Sequence, residues 1–278
     1  MVIEGRPSAT AWSAAAHRAA HQVLDGARIF ADPLALPILG DEAGRAVDRG
    51  RRDGQRPMRV FIAARHRVAE DAVAAAVGEG AGQVVILGAG LDTFAYRNPS
   101  PQLPVIEIDH PSTQAWKRQR LHDAGIPVPA TTRYAGVDFE TTDLATALRD
   151  AGVTGATRPV VLWLGVVPYL TRAAVTESLR VLAGFPGATA IFDYPNPVEQ
   201  LPERSRAWHE RRAAAVSALG EPWLTSFDDD DLAGLLADTG WRIRDRVGPR
   251  EIAVRWFGAP ADTPARAGGH IVVVSTAG

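Results

Sequence analysis

Gln83-Val-Val-Ile-Leu-Gly-Ala-Gly-Leu-Asp-Thr93 is the stretch that decides the fold. Gln83–Leu87 reads as a short buried strand; two glycines then mark a tight turn, and a helix is expected after it. In an open α/β sheet such a turn stands at the carboxyl edge, where backbone comes close to a ligand. The spacing is not that of a dinucleotide fingerprint. Its third glycine would fall at position 93, where Thr93 stands, and Asp92 is a poor neighbour for a pyrophosphate. There is no Gly-Lys-Ser/Thr phosphate loop either, so a nicotinamide dehydrogenase is disfavoured. A ligand met by glycine backbone, free of phosphate and tolerant of acids, fits S-adenosylmethionine. On the glycines alone, a turn that binds nothing competes with this reading.

Outward from this stretch, strands and helices alternate. Arg59–Val77 reads as a helix before it. After it come a strand at Val105–Ile108, a helix at Ser112–Ala124, a strand at Arg133–Val137 and a helix at Asp143–Ala151. Then follow a strand at Val160–Leu164, a helix at Arg172–Ala183, a strand at Thr189–Asp193 and a helix at Asp230–Asp238. Ile252–Phe257 and Ile271–Ser275 are further strand candidates, one of them expected antiparallel at the sheet edge. Strands apolar throughout and separated by helices indicate a mostly parallel sheet covered on both faces. Residues 1–58 are rich in Ala and Arg, with a helix expected at Ala11–Leu24; Arg49–Pro57 reads as a mobile connector.

Two acids join the glycines. Asp109 ends the second strand, 19 residues beyond Gly90, where an α/β nucleotide site places a carboxylate on the ribose hydroxyls. Glu107 shares its strand-face parity and competes, but Asp109 is nearer the edge. Asp138 ends the third strand and can accept from an adenine amino group, with Phe139 to cover the base. Three successive strands ending in glycines, an acid and an acid say more than any one of them.

The composition of the 278 residues excludes several classes. With 30 Lys plus Arg against 32 Asp plus Glu, the net charge of −2 offers no grip on a polyanion, so no nucleic acid is expected. The absence of cysteine removes disulfides, thiolate zinc and a cysteine nucleophile. The first ten residues lack the apolar stretch of a secretory signal, and the apolar run Pro159–Leu170 is too short to span a bilayer. A cytoplasmic enzyme without membrane contact, monomer or homodimer, is the expectation.

With these residues on the page, the chain resembles the leucine carboxyl methyltransferase-like family of S-adenosylmethionine-dependent methyltransferases, in its bacterial small-molecule and polyketide carboxyl methyltransferase branch. Ser8-Ala-Thr-Ala11, Ala64-Arg-His-Arg67, Val85–Thr93 with Tyr96-Arg97, Glu107-Ile-Asp-His-Pro111 with Gln114-Ala-Trp-Lys117, and Val137-Asp-Phe139 carry the resemblance. It continues through Val166–Thr171 and Phe192-Asp-Tyr194 to Gly240-Trp241. The resemblance implies a class I, Rossmann-like methyltransferase fold: a mostly parallel seven-stranded sheet with helices on both faces. It also implies a helical lid at 1–58 and a catalytic domain at 59–278 with a helical insertion around 195–226. Arg65 would hold the cofactor carboxylate, Gly88, Ala89 and Gly90 would line the methionine end, Asp109 the ribose, and Asp138 with Phe139 the adenine. One position departs: where the family carries a glutamate after the fourth strand, Trp163-Leu-Gly-Val166 has Leu164. The loss would weaken cofactor binding unless another acid, such as Asp92, compensates.

The expected reaction is O-methylation of a small natural-product intermediate, at a carboxylate by in-line transfer, with a phenolic or enolic oxygen as the alternative acceptor. A cofactor-binding protein that no longer methylates is the rival that Leu164 motivates. A phenol or alcohol would need a base, for which His17, His21, His110, Tyr169 and Tyr194 are weak candidates. His17 and His21 share a helix face and are open to lid packing instead; His110 is open to a turn role before Pro111. No metal is expected, and Asp228–Asp231 reads as a helix cap. The helix around Trp208, His209, Arg211 and Arg212 offers either arginines for an acidic substrate or a solvated face.

Overall fold

A computed structural model describes residues 8–138, 141–218 and 220–277, and at 204 and 208 the backbone alone. The chain divides into two compact units, one of residues 2–70 with 83–152, the other of 71–82 with 153–278.

The first unit begins with helix α1 (Ala9–Leu24), opened by Ser8, whose hydroxyl accepts from the Ala11 amide. Helix α2 (Ala43–Arg51) and helix α3 (Arg56–Gly78) follow. The expected connector at 49–57 is shortened: helix takes residues 49–51 and 56–57, and a turn at 52–55 joins α2 to α3. Gly50 faces α1 so closely that a Cβ there would stand 2.5 Å from that of Ala20, and its carbonyl accepts from Arg59. Gly50 is a close-packing residue.

Strand β1 (Gln83–Leu87) is buried at every position. The helix after the glycine turn, α4 (Phe94–Arg97), is a single turn. Strand β2 (Val105–Asp109), helix α5 (Pro111–Asp123), strand β3 (Thr132–Gly136) and helix α6 (Leu144–Asp150) complete this unit. β1, β2 and β3 pair in parallel, with Leu87 opposite Ile108 and Asp109 opposite Gly136. The side chain of Asp143 accepts from the Thr146 amide and caps α6.

The second unit carries β4 (Pro159–Trp163), α7 (Arg172–Ala183), β5 (Thr189–Pro195), α8 (Glu203–Ser217), α9 (Asp229–Asp238), β6 (Arg242–Val247), α10 (Pro249–Phe257) and β7 (Gly269–Ser275). β4 and β5 are parallel; β7 runs antiparallel to both β5 and β6. The strands follow the order β3-β2-β1 in the first unit and β4-β5-β7-β6 in the second. Two expectations change here. The antiparallel strand from the tail, β7, lies inside the sheet because Ile271–Val274 is apolar on both faces. The edge is β6, whose alternating charges concealed it.

Ile252–Phe257, read as a strand, is helix α10. Pro249 stands in its first turn, the Glu251 carboxylate accepts from the Gly248 amide at 3.0 Å, and Gly258 ends it with φ of 68°. These are start and stop signals that outweigh a six-residue apolar pattern. Asp228 accepts from the Asp231 amide at 2.8 Å and caps α9, the role expected of that acidic run. No helix among the described residues is long and apolar enough to cross a membrane.

Candidate functional site

The first unit assembles the glycine turn and the acids at the carboxyl ends of β1, β2 and β3. Gly88 and Gly90 have φ of 65° and 46°, values that side-chain-bearing residues adopt at a cost. The Gly88 amide donates to Ile108 O at 2.8 Å, so β2 guides the chain into the turn. The Gly90 amide donates to Asp109 Oδ2 at 2.5 Å, and the His110 amide to Asp109 Oδ1 at 2.6 Å. Burial pushes the Asp109 carboxyl up from its ordinary value, against the pull of those two amides. Each oxygen keeps a lone pair, so the ionised group can still accept from hydroxyls of a ligand.

Glu107 goes elsewhere. Lys117 Nζ donates to both of its oxygens at 2.8 Å and Tyr96 Oη to one at 3.1 Å, with Glu107 and Lys117 each 1% exposed. Glu107 is thus committed inside, while Asp109 stands partly exposed at the strand end.

Ala89 is buried in the turn. Asp138 is half-buried and, with Gly136, Val137, Pro111 and Thr141, lines an open cavity of about 830 Å³. Phe139 lies outside the described residues. Arg65 is buried on α3. Asp92 accepts from the Phe94 amide at 2.7 Å and stands 3.4 Å from His66 Nδ1.

The candidate bases are placed as follows. His21 Nε2 accepts from the Ile29 amide at 3.3 Å, which leaves Nδ1 to donate to Asp25 at 3.0 Å. Both ring nitrogens are thus spent within the N-terminal segment. His17 is buried on the same helix. His110 Nδ1 accepts from the Ser112 amide at 3.2 Å and caps α5. In the other unit, Tyr169 is half-buried in a short 3-10 turn, Val167–Tyr169. Tyr194 is buried between the His270 ring, stacked at 5.3 Å, and Phe227; burial pushes its phenol up to about 12. Leu164 is half-buried beside Gly165, whose amide donates to Asp193. No group of three metal-ligating side chains occurs among the described residues.

One set of residues was not legible as part of the site. Arg18, Asp32 and Thr93, with the half-buried Arg97, form a cluster beside the turn. Thr93 Oγ1 donates to Asp32 Oδ2 at 2.7 Å, and Arg18 Nε lies 2.7 Å from the same oxygen. Although burial acts to raise it, Arg18, Arg97 and these hydrogen bonds hold the Asp32 carboxyl below its ordinary value. Burial, reinforced by the arginines, drives neighbouring His66 well below the usual imidazole range, so its ring is neutral. A charged side chain in an alanine-rich helix was the available signal at Arg18.

A Cβ on Gly90 would stand 3.0 Å from that of Ala11 on α1. Gly90→Ala is therefore expected to cost about 1–2 kcal/mol from backbone handedness alone. Urea unfolding would measure it; an unchanged midpoint would contradict the strain.

A family profile described as leucine carboxyl methyltransferase matches residues 11–183, more than half of the chain. A Mycobacterium avium protein is 32% identical over 93% of this chain and 90% of its own length. Its provisional name is S-adenosyl-L-methionine-dependent methyltransferase. YktD of Bacillus subtilis, with the same provisional name, is 33% identical over 64% of this chain and 60% of its own length. Among solved structures, a DUF574-family protein of Streptomyces avermitilis has a TM-score of 0.58 at 15% identity, covering 94% of this chain and 96% of that one. Magnesium protoporphyrin IX methyltransferase of Synechocystis, with bound SAH, has a TM-score of 0.50 at 13% identity, covering 95% and 100%. These two establish the fold, a Rossmann-like α/β sheet. The donor set agrees with the cofactor: a positive-φ glycine turn without a phosphate cradle, and carboxylates at the next two strand ends. On the match over residues 11–183 and the 32% identity across nearly the full length, the chain belongs to the leucine carboxyl methyltransferase family of S-adenosylmethionine-dependent methyltransferases.

Proposed function

We propose that the chain methylates an oxygen of a small acceptor, a carboxylate on a polyketide-like natural-product intermediate. The observation that carries this reading is the state of three of the five candidate bases. His21 has both ring nitrogens occupied, His110 caps a helix, and burial pushes the Tyr194 phenol up to about 12. A carboxylate is ionised at neutral pH and needs no base, whereas a phenol or enol gains from one.

Arg65 holds the cofactor carboxylate, Gly88, Ala89 and Gly90 line its methionine end, and Asp109 accepts from the ribose hydroxyls. Asp138 and Phe139 take the adenine. Residues 1–58 act as a helical lid and 195–226 as the insertion. When bound, S-adenosylmethionine supplies an electrophilic methyl on a sulfonium. The acceptor oxygen donates a lone pair to the methyl carbon as the carbon–sulfur bond breaks, giving a methyl ester and S-adenosylhomocysteine. No proton moves. The chain's contribution is alignment and exclusion of water.

The test is purified protein with methyl-labelled S-adenosylmethionine and a panel of aromatic and aliphatic acids alongside phenols of matched shape. Labelled ester from an acid, and none from the matched phenol, is expected. Transfer only to phenols would favour the alternative acceptor. Leu164 supports a second reading, a protein that binds the cofactor without transferring methyl: a leucine supplies no carboxylate for the ammonium. Tight binding with no methylated product from the genuine pathway substrate would favour it.

A further inference from the structure

We propose that Arg18 is a positioning residue, which holds the glycine turn in its binding conformation from the N-terminal helix. The proposal rests on the reading that residues 88–90 receive the cofactor.

Ala11, Ala15 and Arg18 recur at the spacing of one helix face, and all three sit on α1. Ala11 stands against Gly90. Two turns further on, Arg18 NH2 donates to Leu91 O at 2.6 Å, and Arg18 Nε pairs with Asp32. Asp32 in turn accepts from Thr93 Oγ1 and from the Leu34 amide at 2.9 Å. Arg97 closes the circuit: Nε donates to Thr93 Oγ1 at 3.0 Å, and its other nitrogens pair with Glu70 on α3. The turn is thus gripped at Gly90 by a methyl group, at Leu91 by a guanidinium and at Thr93 by a carboxylate. Arg18 is 2% exposed and Asp32 is likewise buried, so the grip is shielded from competing water.

This geometry explains a residue that otherwise only excludes. Thr93 takes the place of the dinucleotide glycine, and here its hydroxyl is the anchor of the turn. A turn ordered before the ligand arrives spares the ligand the cost of ordering it.

The test uses calorimetric titration of the full chain with S-adenosylhomocysteine, with hydrogen exchange over residues 88–97. Arg18→Met is expected to weaken binding about tenfold and to speed exchange in that segment. Thr93→Val should weaken it about threefold, and Thr93→Ser, which keeps the hydroxyl, should restore it. Leu179→Ala, a fully buried change on α7, should lower the melting temperature and leave the dissociation constant alone. If Arg18→Met does not fold, the Thr93 pair decides. Folded Arg18→Met and Thr93→Val binding like wild type, while Asp109→Ala does not, would overturn the proposal and leave the site intact. Wild type that does not bind, or Asp109→Ala that binds equally well, would overturn the reading of the turn itself.

Discussion

Asp109→Ala is expected to weaken S-adenosylhomocysteine binding about a hundredfold, which is roughly 2.7 kcal/mol. Two effects add. On the proposed placement, the ribose would lose hydrogen bonds to a charged acceptor, each worth about 1.5–3 kcal/mol. The Gly90 and His110 amides, now directed at the carboxylate at 2.5 and 2.6 Å, also lose their partner, and the turn loses its link to β2. Asp109→Asn keeps the shape and one acceptor oxygen but turns an amino group toward one of the two amides; about a tenfold loss is expected. The wild type should also bind more weakly as pH falls, because the protonated acid surrenders acceptor capacity. Burial raises the Asp109 value, so this loss begins nearer neutrality than for an ordinary aspartate. Asp109→Asn should flatten that slope. Linkage gives the cost to the free protein. The folded state holds the Asp109 proton more tightly than the unfolded chain does. Stability from this group is therefore present below the unfolded value and lost as pH rises through the folded one. Calorimetry between pH 5 and 8 reads both; binding by Asp109→Ala within threefold of wild type would remove Asp109 from the site.

Much of the fold was readable because its signals are local. Gln83–Leu87 and Arg172–Ala183 carry their own boundaries, an apolar run ended by glycine in one case and a Thr171 cap in the other. Place along a strand also separated the two acids of β2, the partly exposed Asp109 at its end from the buried Glu107 two residues earlier. What escaped is what depends on distant partners. Thr93 lies 61 residues from Asp32 and Leu91 lies 73 from Arg18, and no spacing rule joins them. β6 escaped for the opposite reason: Arg242, Arg244 and Arg246 alternate with Ile243, Asp245 and Val247, a pattern that reads as solvated chain until β7 pairs with it. His21 shows how a plausible base disappears once the Ile29 amide and Asp25 are seen to occupy both nitrogens.

Lys117→Met should produce the largest loss of stability of any change considered, about 3–5 kcal/mol, by stranding a buried carboxylate. Lys117 gives both Glu107 oxygens a 2.8 Å contact, its ammonium stands 5.2 Å from the centre of the Tyr96 ring, and neither charged group reaches water. Burial already pushes Glu107 above the ordinary glutamate value, with Lys117 as the first force opposing it. Without the lysine the folded state favours the protonated acid more strongly. Between the unfolded value and that raised folded value, the folded state binds more protons, so stability falls as pH rises. Lys117→Met should therefore be severely destabilised at pH 8 and recover much of the loss at pH 5. Glu107→Gln in the Lys117→Met background removes the stranded charge, keeps an acceptor for Tyr96, and should recover stability at pH 8 without the pH slope. Urea unfolding of the four proteins in the cycle at both pH values gives the coupling directly. A loss under 1 kcal/mol, or one equal at the two pH values, would mean that the pair does not bear on the fold through its charge. Glu107 lies on β2 two residues before Asp109, and Lys117 lies on α5 eight residues after it, so the same titration tests whether the strand that ends in Asp109 is held by the ion pair.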